Sequence, residues 1–456
     1  MEENLTQCVL FSGIFQKPVV ARFDQENGSS DGGAILLKAA DRRLGLIGRL
    51  AACLPDARQQ SKIDHEIIEL LSQRVYGIAC GYCDANDAAR LVEDPVHKML
   101  VGRDAIEGTA LASQPTLSRF ENSPGPRVLH QMGEALVDAV VDRHKKRLRG
   151  KVRRLTLDLD PTADPTHGAQ QLSFFNGHYD TACYLPLLAF VTFNGEPEQY
   201  LLTALLRPGN APDKLGAVAL LKRLITKLID AFPSARILVR LDGGFACPEV
   251  MRFFSSDCCV DYVIGLPKNS ILKRRAKKWM RKARRLSRKS DRTEHVYSET
   301  RYAAQTWDEQ RRVVIKAEVV RNPDRDPKDN PRFLVTNLTG PPRQVYEQTY
   351  CHRGEIENRI KELHDLGIGR TSCSDFWANQ FRVLLTAAAF VLMQGENGTS
   401  HPSPIFLCTA KPEALPRPVT TSKTPHTHWR RSRHSPAVRK NGNGWDVPFR
   451  AQLWVQ

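Results

Sequence analysis

Three acidic residues that lie far apart in the chain have the types and settings that metal-dependent phosphodiester chemistry needs. Asp160 and Asp242 each close a strongly apolar run typical of a β-strand, and Glu357 ends the series Tyr350-x2-Arg353-x3-Glu357. Two-metal cleavage of a phosphodiester uses carboxylates that hold hard cations roughly 4 Å apart. The three acids therefore predict a metal-dependent nuclease site, formed where strand ends meet a helix.

Asp158 is a close alternative to Asp160 as the first of the three acids. In the run Leu155-Thr-Leu-Asp-Leu-Asp160, strand alternation places Asp158 and Asp160 on the same face. Asp242 directly precedes Gly243-Gly244, and glycines permit a tight turn and close approach of a ligand. An aspartate at a strand end is often only a turn or cap residue. Either Asp158 or Asp160 could therefore supply the first ligand.

The third acid lies in a segment with helical spacing. At about 100° per residue, one stripe roughly 80° wide contains Tyr350, Arg353, Glu357, Lys361 and His364. The neighbouring apolar stripe consists of Ile356, Ile360 and Leu363. The apolar stripe can pack while the polar stripe meets a charged ligand, with a solvated ion-pair face as the alternative.

The charge balance favours a polyanionic partner. The chain has 456 residues, with 66 Lys and Arg against 50 Asp and Glu, a net charge of +16. Such a surplus indicates nucleic acid rather than an acidic small substrate. No run approaches the roughly 20 apolar residues of a membrane span, and the first residues lack a signal-peptide pattern. We therefore expect a soluble cytoplasmic protein, associated with the nucleoid, that has no membrane partner.

Cysteine usage fits a reducing compartment. The 11 cysteines are scattered through a long chain, and Cys80-x2-Cys83 is the only CxxC pair. A zinc finger needs a second pair of ligands at suitable spacing, which this sequence does not provide. We expect packing thiols rather than a zinc site.

Residues 31–150 follow an N-terminal extension, 1–30, and have the periodicity of an all-α domain. Within them, Ser113-Gln-Pro-Thr-Leu-Ser-Arg119 has a cap-type serine and a proline suited to the first helical turn. The DNA-recognition helix of a helix-turn-helix motif could have this N-terminus and present Arg119 to DNA. The same start is common in any helical domain.

From residue 151 the periodicity becomes extended, and 151–394 predict an α/β domain. The order is three strands, a helix, a strand, a helix and a strand, which indicates a mixed sheet flanked by helices with later strands parallel. A basic, partly β insertion interrupts it at about 268–342. Lys273–Lys289 contains 11 Lys or Arg in 17 residues. We expect DNA-phosphate contacts from Lys273, Arg274, Arg275, Lys277, Lys278 and Arg281, with a solvated charged helix as the alternative.

The last part of the chain differs in composition. A nearly continuous apolar helix is predicted from Phe376 to Gln394, and it should lie against the sheet. Residues 395–456 are rich in Pro, Thr, Ser and Arg with few periodic hydrophobics, and we expect little stable structure there.

Ordered motifs between about residues 15 and 394 resemble those of bacterial insertion-sequence DDE transposases with a ribonuclease H-like core. The resemblance is closest to the insertion sequence thirteen-eighty family, also called the group 1 DDE transposases. The matching stretches include Asp31-Gly-Gly, Asp84-Ala-Asn-Asp87, Asp158-Leu-Asp-Pro-Thr162, Phe175-Asn-Gly-His-Tyr179, Leu206-Arg-Pro-Gly-Asn210, Arg240-Leu-Asp-Gly-Gly-Phe245 and Tyr350 to Glu357.

The resemblance implies roles for individual residues. Asp160, Asp242 and Glu357 match the catalytic and metal-binding acids, with Asp158 as the alternative to Asp160, and Tyr350 and Arg353 match residues that hold the transposon end. The longer related signature places a lysine seven residues after the glutamate, where this chain has His364 instead. Lys361 is therefore a DNA-contact candidate without a matching position.

The implied activity is transposition. The protein would bind the terminal inverted repeats of its element as a homodimer on paired ends. It would use two Mg²⁺ ions, with Mn²⁺ as a substitute, to expose a 3′-hydroxyl and join it to target double-stranded DNA. The unusual tail leaves an alternative, a catalytically inactive DNA-binding descendant or repressor. A third hypothesis is a ribonuclease H-like nuclease that acts on RNA or branched DNA.

Overall fold

The computed structural model describes residues 14, 19–22, 28–256, 260–323, 325–395 and 452–455. The N-terminal part is helical, as its three- and four-residue apolar spacing predicts. Its helices are α1 (Ala34–Leu44), α2 (Leu46–Ala52), α3 (Ile67–Ala79), α4 (Ala88–Leu91), α5 (Pro95–Val101), α6 (Gln114–Glu121) and α7 (Pro126–Leu148). Helix α7 begins with Gly125 at the N-cap and Pro126 in its first turn, where a missing N–H costs nothing.

A mixed α/β architecture follows. A short strand, β1 (Val19–Arg22), precedes the helices, and the strands after them are β2 (Arg154–Pro161), β3 (Asp164–Pro165), β4 (Phe174–Asn176), β5 (Thr181–Tyr184), β6 (Leu187–Phe193), β7 (Tyr200–Leu205), β8 (Arg236–Leu241) and β9 (Val260–Leu266). Helix α8 (Ala217–Ala231) connects β7 to β8, and helix α9 (Pro248–Ser256) connects β8 to β9.

The predicted order of the long strands and helices is found from β2 to β9, with two differences: the short strands β3 and β4 are additional, and one predicted strand is divided. The apolar run over 182–193 predicts a single strand, but the chain forms β5 and β6 there, separated by Leu185-Pro186. Proline lacks the N–H that a central strand must donate, so the ladder is interrupted there. Strands β3, β5 and β4 form a separate three-stranded sheet.

The central sheet places β2 between an antiparallel and a parallel half. Strands β6 and β7 pair antiparallel on one side of β2, while β8 and β9 continue parallel on the other. Leu155, Leu157 and Leu159 of β2 are completely buried, and Asp158 on the opposite face is buried too. Both faces of β2 are therefore covered by protein.

The basic insertion extends this same sheet. Helix α10 (Ser270–Ser290) is followed by β10 (Glu294–Tyr302), β11 (Arg311–Val320), β12 (Lys328–Asp329) and β13 (Arg332–Thr336). Strand β13 pairs antiparallel with β9, and the sheet order is β10-β11-β13-β9-β8-β2-β6-β7. The helix buries Leu272, Ala276, Met280 and Ala283, spaced at three and four residues, and leaves its basic side chains exposed.

The segment that carries Tyr350 and Arg353 consists of irregular helical turns. A short α11 (Pro342–Gln344) leads into a π-helical turn over Val345–Tyr350 and a 3₁₀ turn over Cys351–Gly354. A regular helix, α12 (Glu355–Asp365), starts only after these turns.

The last long helix, α13 (Phe376–Gly395), lies against the sheet as predicted and closes its β7 edge. Gln380 accepts from Leu206 N at 2.6 Å and donates to Ala204 O at 3.2 Å. Gln394 accepts from Leu201 N at 3.1 Å and donates to the carbonyl of Gln199 at 2.6 Å. The two glutamines thus satisfy backbone groups of an edge strand that would otherwise be open to pairing with another chain.

The expectation that no run approaches the length of a membrane span is wrong for α13, the one described helix with a suitable length and apolar composition. Of its most apolar 18-residue stretch, 94% is buried inside the protein. The expected tail, 395–456, falls mainly outside the described residues. Within it, β14 (Gln452–Val455) pairs antiparallel with β1. The N-terminal helices and the sheet contribute to one hydrophobic cluster, and the division into a helical and a catalytic domain stays a prediction.

Candidate active site

Asp160 and Asp242 lie side by side at the ends of two parallel strands. The register pairs Asp158 of β2 with Arg240 of β8. Two residues further along both strands, Asp160 is level with Asp242, which follows β8 directly. Neighbouring parallel strands run in the same direction, so acids at their C-terminal ends meet at one edge of the sheet.

Arg353 supplies the positive charge between these two acids. Its Nη2 lies 2.7 Å from Asp160 Oδ1 and 3.9 Å from Asp242 Oδ2. Burial raises the pKa of Asp160 to about 7, the negative charge of Asp242 acts in the same direction, and Arg353 opposes both. The edge therefore concentrates negative charge in a poorly hydrated place.

Asp158 has a different environment. Arg240 Nε donates to Asp158 Oδ1 at 2.7 Å, Arg240 Nη2 donates to Oδ2 at 2.6 Å, and Gln199 Nε2 donates to Oδ2 at 2.9 Å. The side chain has no solvent exposure. Both oxygens of Asp158 are already engaged, whereas Asp160 keeps 14% exposure and is the more accessible of the two.

Glu357 lies in the first turns of α12, and the contact of this helix with the segment after β2 is made two turns later, by His364. Ile356 and Leu363 are buried, as their apolar stripe predicts. His364 shares the face of Glu357, and its Nε2 is 2.9 Å from Thr162 Oγ1, just beyond Asp160. Glu357 itself is exposed, and the ligand oxygens of Asp160, Asp242 and Glu357 do not all lie within 4.8 Å of one another.

The prediction of one continuous polar stripe from Tyr350 to His364 is wrong at its start. Tyr350 ends a π-helical turn, and Arg353 lies in a 3₁₀ turn, so neither follows the 100° spacing of α12. This backbone brings the Tyr350 ring towards the glycine of β9: a Cβ added at Gly265 would lie 2.8 Å from Tyr350 Oη and 2.8 Å from Gly243 N.

A fourth carboxylate, Asp213, was missed by the sequence analysis. It lies so close to Gly244 that a Cβ there would be 1.6 Å from Asp213 Oδ2. Burial and the charge of Asp242 raise the pKa of Asp213. Because Gly244 has no side chain, the carboxylate of Asp213 has room beside the turn after Asp242. The sequence contains a clue in Leu206-Arg-Pro-Gly-Asn210, which lies just before Asp213.

Arg207 holds the loop that carries Asp213. This arginine is 2% exposed; its Nη1 donates to the carbonyls of Pro212, Asp213 and Leu215 at 3.3, 2.8 and 3.2 Å. Its Nε donates to Leu185 O at 2.9 Å. A buried guanidinium with several carbonyl acceptors restricts a loop to one conformation, because each broken bond would leave an unsatisfied group.

The small sheet of β3, β5 and β4 and the turn between β4 and β5 carry exposed aromatic side chains. Phe175 is 65% exposed, and Phe174 and Tyr179 are about 40% exposed. Burial raises the pKa of the Tyr179 hydroxyl, and the negative charges of Asp160, Asp213 and Asp242 raise it further. We call Phe174, Phe175 and Tyr179 the aromatic flap.

The candidate DNA contacts occupy separate surfaces. On α10, Lys273, Arg274, Lys277, Lys278 and Arg281 are exposed. Arg275, also exposed, donates to Thr300 Oγ1 at 3.1 Å. Arg119 on α6 is exposed and donates to Thr116 Oγ1 at 3.3 Å, and Lys361 is exposed on α12.

Both tryptophans of the basic insertion pack against the hydrophobic core. Trp279 also has Lys278 Nζ 5.3 Å from its ring centroid, and Trp307 meets Tyr302 edge to face at 5.6 Å.

Comparison with known proteins assigns the chain to a family. A search of curated proteins finds no match. The family model described as transposase DDE domain group 1 matches residues 11–397. This match covers most of the chain, which therefore belongs to the group 1 family of DDE transposases.

Proposed function

We propose that this protein cleaves the DNA ends of its own insertion sequence and joins them to target DNA, using Asp160, Asp242 and Glu357. The observation that carries the proposal is the register of β2 and β8, which makes Asp160 and Asp242 neighbours with Arg353 between them. Family membership supports the same chemistry. The antiparallel β7-β6-β2 and parallel β2-β8-β9 arrangement is compatible with a ribonuclease H-like core.

The acids are suitable ligands for a hard divalent cation such as Mg²⁺. Carboxylate oxygens are the ligands that Mg²⁺ prefers, and Asp160 and Asp242 face the same place, where Arg353 supplies one positive charge. Bound there, Mg²⁺ would activate a water or hydroxyl and stabilise the leaving oxygen. Glu357 would complete the ligand set from α12, and Mn²⁺ would bind the same oxygens.

Two arginines have distinct roles in this proposal. Arg240 neutralises Asp158 and keeps it out of the reaction. Arg353 neutralises the two reacting acids in the absence of DNA and then contacts a backbone phosphate, as Arg binds phosphate through its planar fork. Tyr350, held beside Gly265, would position the same strand.

The DNA path would connect three surfaces. The exposed cations of α10 would bind phosphates through counterion release, which gives affinity without base information. Arg119, which lies on α6 in the helical N-terminal part of the protein, would contact the inverted repeat of the DNA. The aromatic flap would stack on unpaired bases at the cut end, because every base has a π-face. We further propose that two copies act together on paired ends in the bacterial cytoplasm.

The test is cleavage of a DNA fragment that contains the inverted repeats flanking the gene. Full-length protein with Mg²⁺ should nick at the repeat boundary and transfer the new 3′-hydroxyl into target DNA. Asp160→Ala, Asp242→Ala and Glu357→Ala should each retain binding to the repeat and lose cleavage. Asp230→Ala, which removes an exposed acid at the end of α8, serves as the control and should cleave normally.

Each other result has a defined meaning. Binding to repeats without cleavage by the unaltered protein would identify a DNA-binding descendant without activity. Cleavage of RNA or branched DNA without repeats would identify a different nuclease. Cleavage that survives Asp160→Ala and disappears only in a folded Asp158→Ala would move the first ligand to Asp158.

A further inference from the structure

Three potential metal ligands converge in the helical N-terminal part, away from the acids of the sheet edge. Asp31 precedes α1, Cys80 caps the end of α3 and His97 lies in the first turn of α5. His97 Nε2 lies 2.9 Å from Asp31 Oδ2, and one ligand atom from each of the three residues lies within 4.8 Å of the others. Among the described residues, this is the one such group of three.

The distances between the three ligand atoms would suit a tetrahedral metal ion after small movements of the side chains. Zn–N and Zn–O bonds of about 2.0 Å and a Zn–S bond of about 2.3 Å imply ligand atoms roughly 3.3 to 3.6 Å apart. The Asp31 and His97 atoms, now 2.9 Å apart, would separate slightly, and the Cys80 Sγ already lies within 4.8 Å of both. A thiolate, an imidazole and a carboxylate together select a borderline ion such as Zn²⁺ over the hard Mg²⁺.

The surroundings favour a bound cation at this place. His97 is 1% exposed and Asp31 is 12% exposed, so the site is largely buried yet reachable by solvent. The ring nitrogen of His97 that faces away from Asp31, Nδ1, has no hydrogen-bond partner among the described residues. Nε2 is directed at Asp31 and is therefore the ring nitrogen that would bind the ion.

Cys83 does not join this group, although it forms the CxxC pair with Cys80. Its thiol instead donates to Leu366 O at 3.3 Å, in the turn after α12. Only Cys80 of the pair belongs to the group. The spacing of its three residues along the chain therefore does not match that of a zinc finger.

We propose that Asp31, Cys80 and His97 bind one Zn²⁺ with solvent as the fourth ligand. The ion would link the segment before α1 to α3 and α5, and so stabilise the helical part that carries Arg119. This site is separate from the catalytic acids, and its existence does not depend on the proposed transposition.

The experiment uses Co²⁺, whose spectrum reports its ligands. Full-length protein carrying Asp160→Asn and Asp242→Asn, stripped of metal with EDTA, is titrated with Co²⁺; the two substitutions remove binding at the sheet edge. We expect one equivalent to give intense visible bands of tetrahedral Co²⁺ and a near-ultraviolet sulfur-to-cobalt band. Zn²⁺ should displace both and raise the melting temperature.

Three further variants make the assignment specific. Cys80→Ser should lose the sulfur-to-cobalt band, whereas Cys83→Ser, four positions from α3, should keep it. Asp31→Asn retains the cysteine and should keep the band but weaken Co²⁺ binding tenfold or more. Absence of the band in the parent protein, or its persistence in Cys80→Ser, would overturn the proposal. If Cys80→Ser does not fold, unchanged Co²⁺ affinity in Asp31→Asn overturns it equally.

Discussion

Arg240 binds both oxygens of Asp158, with its Nε and Nη2 donating at 2.7 and 2.6 Å, inside the sheet. The pair is almost completely removed from solvent. The third guanidinium nitrogen of Arg240, Nη1, donates to Thr349 O at 3.1 Å, next to Tyr350. The ion pair therefore connects the two central parallel strands to the π-helical turn that directly precedes the 3₁₀ turn of Arg353.

Asp158→Asn should destabilise the fold without acting on the metal site directly. Removing one partner of a buried ion pair leaves the other charge uncompensated, which typically costs about 3–5 kcal/mol. We expect a lower urea midpoint at pH 6. Asp160→Asn is the matched control, because Asp160 with a pKa of about 7 is mostly protonated at that pH. Its effect on stability should stay within about 1 kcal/mol. Equal losses in both variants would contradict these roles.

Arg353→Gln should tighten metal binding in the absence of DNA. The guanidinium neutralises Asp160 and Asp242, so an entering cation must compete with it. We expect at least tenfold stronger Mn²⁺ binding by electron paramagnetic resonance, together with loss of DNA cleavage, since the proposed contact of Arg353 with a DNA phosphate is also removed. Arg359→Gln, which removes a cation that pairs with Glu198 and Glu362, should leave Mn²⁺ binding unchanged. Weaker Mn²⁺ binding in Arg353→Gln would disprove the competition.

Metal affinity should depend steeply on pH below neutrality. Asp160 must be ionised to bind a cation, and its pKa is raised to about 7 in the folded protein. Below this pH the protonated form dominates, so Mn²⁺ affinity should fall about tenfold per pH unit and level off above it. Asp160→Asn should bind weakly at every pH. An affinity that is constant between about pH 6 and 8 would show that Asp160 is not a ligand.

The exposed cations of α10 should determine the salt dependence of DNA binding. Arg274, Lys277 and Arg281 recur at three- and four-residue spacing on its exposed surface. If each contacts one phosphate, replacing all three with Gln should reduce the slope of log K against log salt by about 2.7. Arg284→Gln is the control, because Arg284 already pairs with Asp329. Fluorescence anisotropy at several salt concentrations measures the slope, and an unchanged slope would exclude α10 from the DNA path.

Local patterns predicted most of the fold. Although the pairing of β2 with β8 that makes Asp160 and Asp242 neighbours was not predicted, alternation identified both strands, and three- and four-residue spacing identified α8 and α13. The helical crossovers predicted that later strands are parallel, as β8 and β9 are. These features depend on residues close together in the chain, or on the fixed handedness of crossovers.

The remaining features depend on contacts that spacing does not encode. Asp213 reaches the site because Arg207 gathers three carbonyls of its loop, and Arg353 reaches Asp160 through a π turn and a 3₁₀ turn. The choice between Asp158 and Asp160 depends on Arg240, a partner contributed by another strand. Packing, rather than propensity, decides such irregular segments.

Phe175→Ala should weaken binding to DNA ends that contain unpaired bases. Phe175 is 65% exposed in β4, and the turn after β4 carries Tyr179, whose pKa is raised by burial and by the charges of Asp160 and Asp242. A base displaced at the cut could stack on Phe175. Stacking contributes about 1–3 kcal/mol per base, and a loss of roughly tenfold in affinity is expected for a duplex with an unpaired end. A fully paired duplex should bind normally. Ile106→Ala, another exposed apolar residue at 53%, is the control. Equal weakening for both duplexes would indicate that the aromatic flap does not select unpaired bases.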